Sequence, residues 1–151
     1  MRSFETLDEL ALCVGQDIAQ SDWLTISQDQ VNQFAQATGD HQWIHTDVAR
    51  AQAGPFGTTI AHGFLTLSLL PQFFQTALVV RQVRMGVNYG VNKVRFPAPV
   101  PVGSRLQAHL KLLQAEPLEG AGYQFVWAVT VAREGSPKPV CVAETVVRQY
   151  A

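Results

Sequence analysis

The segment of residues 62–80 reads HGFLTLSLLPQFFQTALVV, and this segment decides the fold. Its apolar side chains fall on every face of a helix, which is typical of a helix buried in a protein core. Pro71 predicts a kink near its middle. The segment is long enough to cross a membrane, but five of its residues make insertion costly: His62, Ser68, Pro71, Gln72 and Gln75. We therefore expect one long helix over 62–80 that lies inside the protein.

Strands follow this helix, because the second half of the chain alternates apolar and polar residues with period two. The segments with this pattern or with a strand-like run of valines are 104–114, 122–134 and 139–150. An earlier strand is expected over 84–96, where the apolar phase changes between Val91 and Val94 and predicts a β-bulge. Together these segments indicate an antiparallel sheet of about four or five strands with one face on a core.

Shorter elements precede the central helix. Helices are expected over 6–14, 28–38 and 47–53, and an extended segment over 17–26. Ser27 and Gln30 have the spacing of a capping box, and Gly39 is a fitting stop for the helix between them. A sheet that wraps one long apolar helix satisfies both halves of the chain. We therefore expect an α+β protein with a single domain over residues 1–151.

The charge balance gives no reason to expect nucleic acid as a partner. Lys and Arg number 11 and Asp and Glu number 12, so the net charge is 11 − 12 = −1. Four basic residues nevertheless fall within fifteen positions: Arg81, Arg84, Lys93 and Arg95. They form either a local anion site or ordinary solvated charges at strand ends, and the sequence leaves both interpretations open.

The two cysteines, Cys13 and Cys141, stand far apart in apolar surroundings without metal-ligand spacing. They are interpreted as free thiols in a reducing compartment. Glu5, Asp8 and Glu9 occupy the region where an export signal carries positive charge, so we expect a cytoplasmic protein.

The run Thr38-Gly39-Asp40-His41-Gln42-Trp43-Ile44-His45-Thr46-Asp47 carries the candidate chemistry. Asp40 and His45 flank a short loop, and a carboxylate beside a neutral imidazole activates water near neutral pH. The structural alternative makes Asp40 a turn former and His45 a half-buried capping residue.

A metal site is a further interpretation of the same run, since His41 and His45 have i, i+4 spacing and Asp40 is a third potential ligand. Gly39 and the polar loop argue against one continuous helix, and no fourth ligand is in view. We expect no metal and no cofactor.

Gly63 is the second candidate, because it lies at the expected start of the central helix. Backbone N–H groups in a first helical turn have no intrahelical acceptor, and glycine lets a ligand carbonyl approach closely. The alternative is that Gly63 only permits tight packing of the helix against the sheet.

The sequence resembles a known family at three places. The motifs are Gly39-Asp40-His41-Gln42-Trp43-Ile44-His45-Thr46-Asp47 with Gly54-Pro55-Phe56-Gly57, then Ile60-Ala61-His62-Gly63-Phe64, and then Val87-Asn88-Tyr89-Gly90 with Val94-Arg95-Phe96-Pro97-Ala98-Pro99-Val100. They are similar to the MaoC-like R-specific enoyl-CoA hydratases and dehydratases, on the branch that includes nodulation-protein-N-like proteins. The resemblance covers nearly the whole chain.

The resemblance implies a hot-dog fold, in which a curved antiparallel sheet wraps a long central helix, and a homodimer with the two sheets joined edge to edge. It also implies that Asp40 and His45 are the catalytic pair and that the Gly63 N–H forms an oxyanion site. One departure concerns the positions where the family usually has asparagine followed by proline. Here these positions are Gln42 and Trp43. We expect Gln42 to be an auxiliary amide and Trp43 to shape the acyl pocket.

The resemblance therefore implies a carbon–oxygen lyase of fatty acid metabolism that reversibly hydrates trans-2-enoyl-CoA or enoyl-acyl-carrier-protein thioesters to (R)-3-hydroxyacyl thioesters. Arg84 and Arg95 are candidates for binding the phosphates of CoA. The alternatives are an acyl-CoA thioesterase on the same fold and a non-catalytic protein that binds acyl thioesters.

Overall fold

A computed structural model of the protein describes all residues, 1–151. Its helices are α1 Leu7–Ala11, α2 Gln28–Thr38, α3 Trp43–Thr46, α4 Val48–Gln52, α5 Gly63–Ser68 and α6 Leu70–Ala77. Its strands are β1 Arg2–Phe4, β2 Asp17–Gln20, β3 Leu24–Thr25, β4 Leu78–Val80, β5 Met85–Arg95, β6 Arg105–Leu118, β7 Gly122–Arg133 and β8 Cys141–Tyr150. None of the helices is both long enough and apolar enough to span a membrane.

Six strands form one antiparallel sheet in the order β2-β6-β7-β8-β5, with β3 also paired to β6. The predicted alternation is confirmed, because Leu106, Ala108, Leu110 and Leu112 of β6 are all buried. The register of β5 shifts between Val91 and Lys93, where the sequence predicts a bulge, and a second time between Asn88 and Gly90. Strand β5 lies at one edge of the sheet.

The central helix differs from its prediction. It consists of two helices that meet at Leu69, and Pro71 occupies the first turn of α6. A proline there donates no N–H to the preceding turn, so the helix is broken rather than only kinked. Helix α6 ends at Ala77, and β4 pairs in parallel with β1 at the amino terminus.

The core forms between this helix pair and the inner face of the sheet. Leu65, Leu70 and Phe73 belong to one buried cluster with residues of β6, β7 and β8. The prediction that segment 62–80 is buried on every side is wrong, because Phe64 is 68% exposed. The Phe64 ring packs edge-on against that of Phe96, with 6.0 Å between ring centroids. The arrangement of sheet and helix is the hot-dog architecture that the resemblance implies.

Local signals at the ends of α2 are confirmed. The Ser27 side chain accepts a hydrogen bond from the Gln30 N–H at 3.1 Å, and Gly39 ends the helix in the left-handed region with φ +80°. Because the chain reverses direction at Gly39, Asp40 begins a new segment next to the end of α2.

Candidate functional site

Asp40 lies in the short loop between α2 and α3. One of its carboxylate oxygens accepts a hydrogen bond from the Gln42 N–H at 3.3 Å, which turns the side chain back over its own loop. The Asp40 side chain is 54% exposed, so the carboxylate keeps its second oxygen open to solvent.

His45 lies on α3, and 93% of its surface is covered, since its exposed fraction is 7%. Its Nδ1 lies 2.6 Å from the carbonyl oxygen of Ile60. A carbonyl only accepts hydrogen bonds, so Nδ1 must carry the hydrogen. In the neutral ring Nε2 then holds the lone pair. The backbone carbonyl of His45 accepts a hydrogen bond from Gln28 Nε2 at 2.8 Å, and Gln28 in turn accepts one from the Thr59 hydroxyl.

The electrostatic environment favours the neutral imidazole. Burial is the largest effect and lowers the pKa of His45 below its ordinary value of 6.5, and the nearby His62 lowers this pKa further. The hydrogen bond to Ile60 and the charge of Asp40 act in the opposite direction without reversing the shift. His45 is therefore a neutral ring with an available Nε2 lone pair near neutral pH.

His62 joins the site, although the sequence analysis assigned it no role. It is 3% exposed, and its Nε2 lies 2.9 Å from the backbone carbonyl of Asp40 and 4.0 Å from an Asp40 carboxylate oxygen. Its ring stacks on that of His45 with 3.8 Å between centroids. The local sequence carries no signal for these contacts, because 22 residues separate His62 from Asp40. Only its position directly before Gly63 points to it.

The three side chains do not make a good metal centre. One potential ligand atom from each of Asp40, His45 and His62 lies within 4.8 Å of the others. The imidazoles, however, are stacked at 26° between planes. A metal ion lies close to the plane of each ring that binds it, and the planes of two rings stacked in this way do not meet within metal–nitrogen bonding distance of both rings. His41 is exposed and lies before α3, so it forms no helical pair with His45.

Gly63 is the first residue of α5, directly after His62, and its N–H has no acceptor in the chain. A Cβ at this position would lie 2.8 Å from the Phe96 ring, closer than real contacts allow. Phe96 therefore accounts for the lack of a side chain here, as the packing interpretation expects. The N–H of the same residue is nevertheless free to bind a ligand.

The two positions that depart from the family pattern lie on the outer side of the site. Gln42 is exposed, and its side chain makes no hydrogen bond. Trp43 contacts Gly54 and lies under the guanidinium of Arg50, 4.3 Å from the ring centroid. Neither residue lines the cleft between the α5–α6 pair and strands β5 and β8, which is described below.

The basic residues do not form a single anion site within one chain. Arg81 binds Glu5 at 2.8 Å. Arg84 and Arg95 lie at opposite ends of β5, roughly 35 Å apart at the usual rise per strand residue. Arg95 precedes Phe96, which contacts Gly63, so Arg95 belongs to the end of β5 that lies near the candidate site.

A cleft with a volume of about 680 Å³ lies between the α5–α6 pair and strands β5 and β8. Its apolar lining includes Leu67, Leu70, Phe74 and Trp127. None of Asp40, His45 and Gly63 lines it. Leu67 stands one helical turn after Gly63 on the same face of α5, so the cleft begins about one turn beyond the free N–H.

Comparisons with known proteins agree with this architecture. Residues 10–123 match the family described as "MaoC like domain". The chain is 56% identical over 151 residues to a protein of Mycobacterium tuberculosis named "3-hydroxyacyl-thioester dehydratase Z", with all of both chains covered. It is 42% identical to nodulation protein N of Rhizobium meliloti, over 91% of this chain and 87% of that protein.

Among solved structures, the chain is similar to R-hydratase PhaJ1 from Pseudomonas aeruginosa, with 28% identity and a TM-score of 0.67 over 89% of this chain and 79% of that one. The family match covers most of the chain and the full-length relative covers all of it. The protein therefore belongs to the MaoC-like hydratase and dehydratase family of enzymes, on the branch that includes nodulation protein N.

Proposed function

We propose that this enzyme catalyses the reversible hydration of trans-2-enoyl-CoA thioesters to (R)-3-hydroxyacyl-CoA. Family membership and the full-length relative support the coarser statement, that it is a dehydratase or hydratase of 3-hydroxyacyl thioesters. The observation that carries the finer one is the geometry of Asp40 and His45. A carboxylate oxygen of Asp40 and a ring nitrogen of His45 lie within 4.8 Å of each other, which is close enough for one water to hydrogen-bond to both groups.

The proposed reaction begins when the thioester carbonyl accepts a hydrogen bond from the Gly63 N–H, which polarises the conjugated C=C bond. The water held by Asp40 and His45 loses a proton to one member of this pair, and its oxygen forms a bond to C3. The electrons of the C=C bond pass toward the carbonyl oxygen. The proton is then delivered to C2 on the same face, so that water has been added across the double bond.

The proposed reaction needs both the acid–base pair and the Gly63 N–H, because each contributes a different effect. Positioned acid–base groups contribute roughly 10²–10⁴-fold in rate. One oxyanion donor contributes about 3 kcal/mol of transition-state stabilisation. The first effect supplies the proton transfers and the second stabilises the enolate, so neither replaces the other.

Two further regions have proposed roles in binding the substrate. Arg95 is the stronger candidate for binding the phosphates of CoA because it lies at the end of β5 near Gly63, whereas Arg84 lies at the other end of this strand. The cleft beyond Leu67 is of the size that small-molecule pockets have, and its largely apolar lining suits an acyl chain. An acyl carrier protein in place of CoA would present the same thioester.

A homodimer is the assembly that the surface supports. Strand β5 is an uncovered sheet edge that carries exposed apolar side chains at Met85, Val87, Tyr89 and Val91. Such an edge is a template for pairing with another strand. A cytoplasmic location stays a prediction from the sequence.

Incubation of the purified protein with crotonyl-CoA tests the proposed function. Loss of enoyl absorbance without release of free thiol is the expected result. A dehydrogenase specific for (R)-3-hydroxyacyl-CoA should oxidise the product, and one specific for the (S) enantiomer should not. Release of thiol would instead indicate the thioesterase alternative. Binding with neither change would indicate the non-catalytic alternative, and either of these outcomes overturns the proposal. Enoyl-CoA esters of increasing chain length then report how much of the cleft the acyl group uses.

A further inference from the structure

We propose that His62 is a positioning residue that holds Asp40 and His45 in register with each other, an inference that rests on the proposed function. Its side chain contacts both members of the pair, through a hydrogen bond to the backbone carbonyl of Asp40 and a ring stacked on that of His45. It also directly precedes Gly63, so one residue connects the acid–base groups with the free N–H.

The hydrogen bond from His62 connects the loop that contains Asp40 to a part of the chain that is distant in sequence. The Asp40 side chain is more than half exposed, and its own hydrogen bond goes to Gln42, two residues away. The bond from His62 Nε2–H to the Asp40 carbonyl instead ties this loop to the start of α5. Without it, the loop after the Gly39 helix stop has no hydrogen bond to the helix that carries Gly63.

The second contact fixes the ring of His45. The two imidazoles stack at 3.8 Å, and Phe34 lies on His62 at 4.9 Å between centroids. With Nδ1 of His45 bonded to Ile60, Nε2 is the ring nitrogen whose lone pair is available. His62 thus packs against both a half-buried phenylalanine and the candidate base.

A purely structural role does not explain why this residue is a histidine. Nδ1 of His62 is buried and has no hydrogen-bond partner, which lowers stability relative to an apolar ring at the same place. An apolar ring would keep the packing on Phe34 and His45 but would lose the donor to Asp40. The histidine therefore retains a hydrogen bond at the expense of an unpartnered nitrogen.

Two variants separate the two contacts. His62→Phe keeps an aromatic ring but removes the donor, whereas His62→Gln keeps an N–H donor within reach of the Asp40 carbonyl. Because a misplacement of about 1 Å reduces rates by roughly 10²-fold, we expect His62→Phe to lower kcat for crotonyl-CoA by 10- to 100-fold (roughly) while KM changes less than about threefold. His62→Gln keeps the donor but loses the stacked ring, so its kcat should lie between those of His62→Phe and the wild type. His109→Phe, at an exposed position of β6, is the matched control.

A double-mutant comparison tests whether His62 acts through Asp40. If it does, His62→Phe has no further effect on the residual rate of an Asp40→Asn enzyme, because the group it positions is already disabled. The same fold-loss in both backgrounds would overturn the inference. So would a His62→Phe enzyme with wild-type kcat, or a His62→Gln enzyme as slow as His62→Phe.

The wild-type protein provides a test that needs no variant to fold. Nitrogen-15 NMR of the imidazole rings should find the hydrogen of neutral His62 on Nε2 and that of His45 on Nδ1. A hydrogen on Nδ1 of His62 would exclude the bond to Asp40 and overturn the inference. If the wild-type protein does not hydrate crotonyl-CoA, the proposed function fails, while these NMR spectra still decide whether the contact exists.

Discussion

At the scale of single residues, the candidate site depends on which nitrogen of His45 carries the hydrogen. The Ile60 carbonyl fixes that hydrogen on Nδ1, and burial lowers the pKa of the ring. A base must be neutral to accept a proton, so kcat/KM should remain on its plateau until the pH falls below 6.5. A pH–rate profile with crotonyl-CoA measures this acid limb. A limb at or above 6.5 would contradict the burial argument.

The lowered pKa of His45 also makes the free energy of unfolding depend on pH. Between the lowered pKa of folded His45 and 6.5, the unfolded chain binds more protons than the folded chain. The contribution of His45 to the free energy of unfolding therefore rises with pH through this window and is lost as the pH falls. His45→Asn should remove this part of the pH dependence in denaturant unfolding experiments.

Gly63 allows its N–H to be tested apart from its lack of a side chain. Phe96→Ala removes the ring that a Cβ would strike. In that background Gly63→Ala keeps the N–H and Gly63→Pro removes it. Proline is acceptable at the first position of a helix, and the extended ψ of 137° at His62 suits a following proline.

We expect the proline variant to have a kcat lower than that of the alanine variant by roughly 10²–10³-fold. Crotonyl-CoA hydration by the two double variants measures the ratio. Equal rates would remove the Gly63 N–H from the mechanism and leave the packing against Phe96 as the whole role of this residue.

At the scale of elements, Asp47 is a helix cap. Its carboxylate accepts a hydrogen bond from the Arg50 N–H at 2.9 Å and thereby begins α4. Asp47→Ala should reduce the free energy of unfolding by about 1 kcal/mol, while kcat stays unchanged. Denaturant unfolding and the hydration assay measure these two quantities. Asp47→Ser retains a capping oxygen and should stay close to wild type, and a loss of kcat in Asp47→Ala would give the residue a catalytic role.

Elements with local signals could be predicted from the sequence, and elements with long-range causes could not. Helix α2 carries its own cap and stop, Ser27 and Gly39, and its predicted bounds agree with the structure. Leu78–Val80 continues an apolar helical pattern in the sequence, but it becomes a strand because it pairs with Arg2–Phe4. That pairing joins residues 76 positions apart, such as Arg2 and Leu78, so a local pattern in the sequence cannot reveal it.

The candidate site likewise contains residues that local sequence signals indicate and residues that only the fold brings together. Asp40 and His45 stand close in sequence, so their residue types and spacing indicated a pair. His62 could not be found by spacing, because the turn at Gly39 and the return of the chain before α5 bring it to them. The opposite holds for Arg84 and Arg95, which stand near each other in sequence but lie far apart along an extended strand, so the sequence left open whether they form one anion site.

At the scale of the whole molecule, the proposed homodimer forms through the β5 edge. If two copies pair through this edge, Val87→Lys places a charge where apolar side chains meet and should raise the dimer dissociation constant by roughly tenfold or more. Light scattering after size-exclusion chromatography, over a range of concentrations, measures the change. Leu12→Lys is the control, because Leu12 is exposed at the end of α1, away from β5. A wild-type protein that is monomeric throughout, or a variant that dimerises as wild type does, would exclude this interface.

The central claim is that Asp40 and His45 together activate water, and the kcat for crotonyl-CoA hydration tests it most directly. Asp40→Asn keeps an acceptor for the Gln42 N–H, and the amide of His45→Asn replaces only the Nδ1 side of the ring. Each variant should lower kcat by roughly 10²–10⁴-fold, whereas His41→Ala, an exposed residue of the same run, should leave it unchanged. A folded Asp40→Asn or His45→Asn enzyme with kcat near that of wild type would contradict the account.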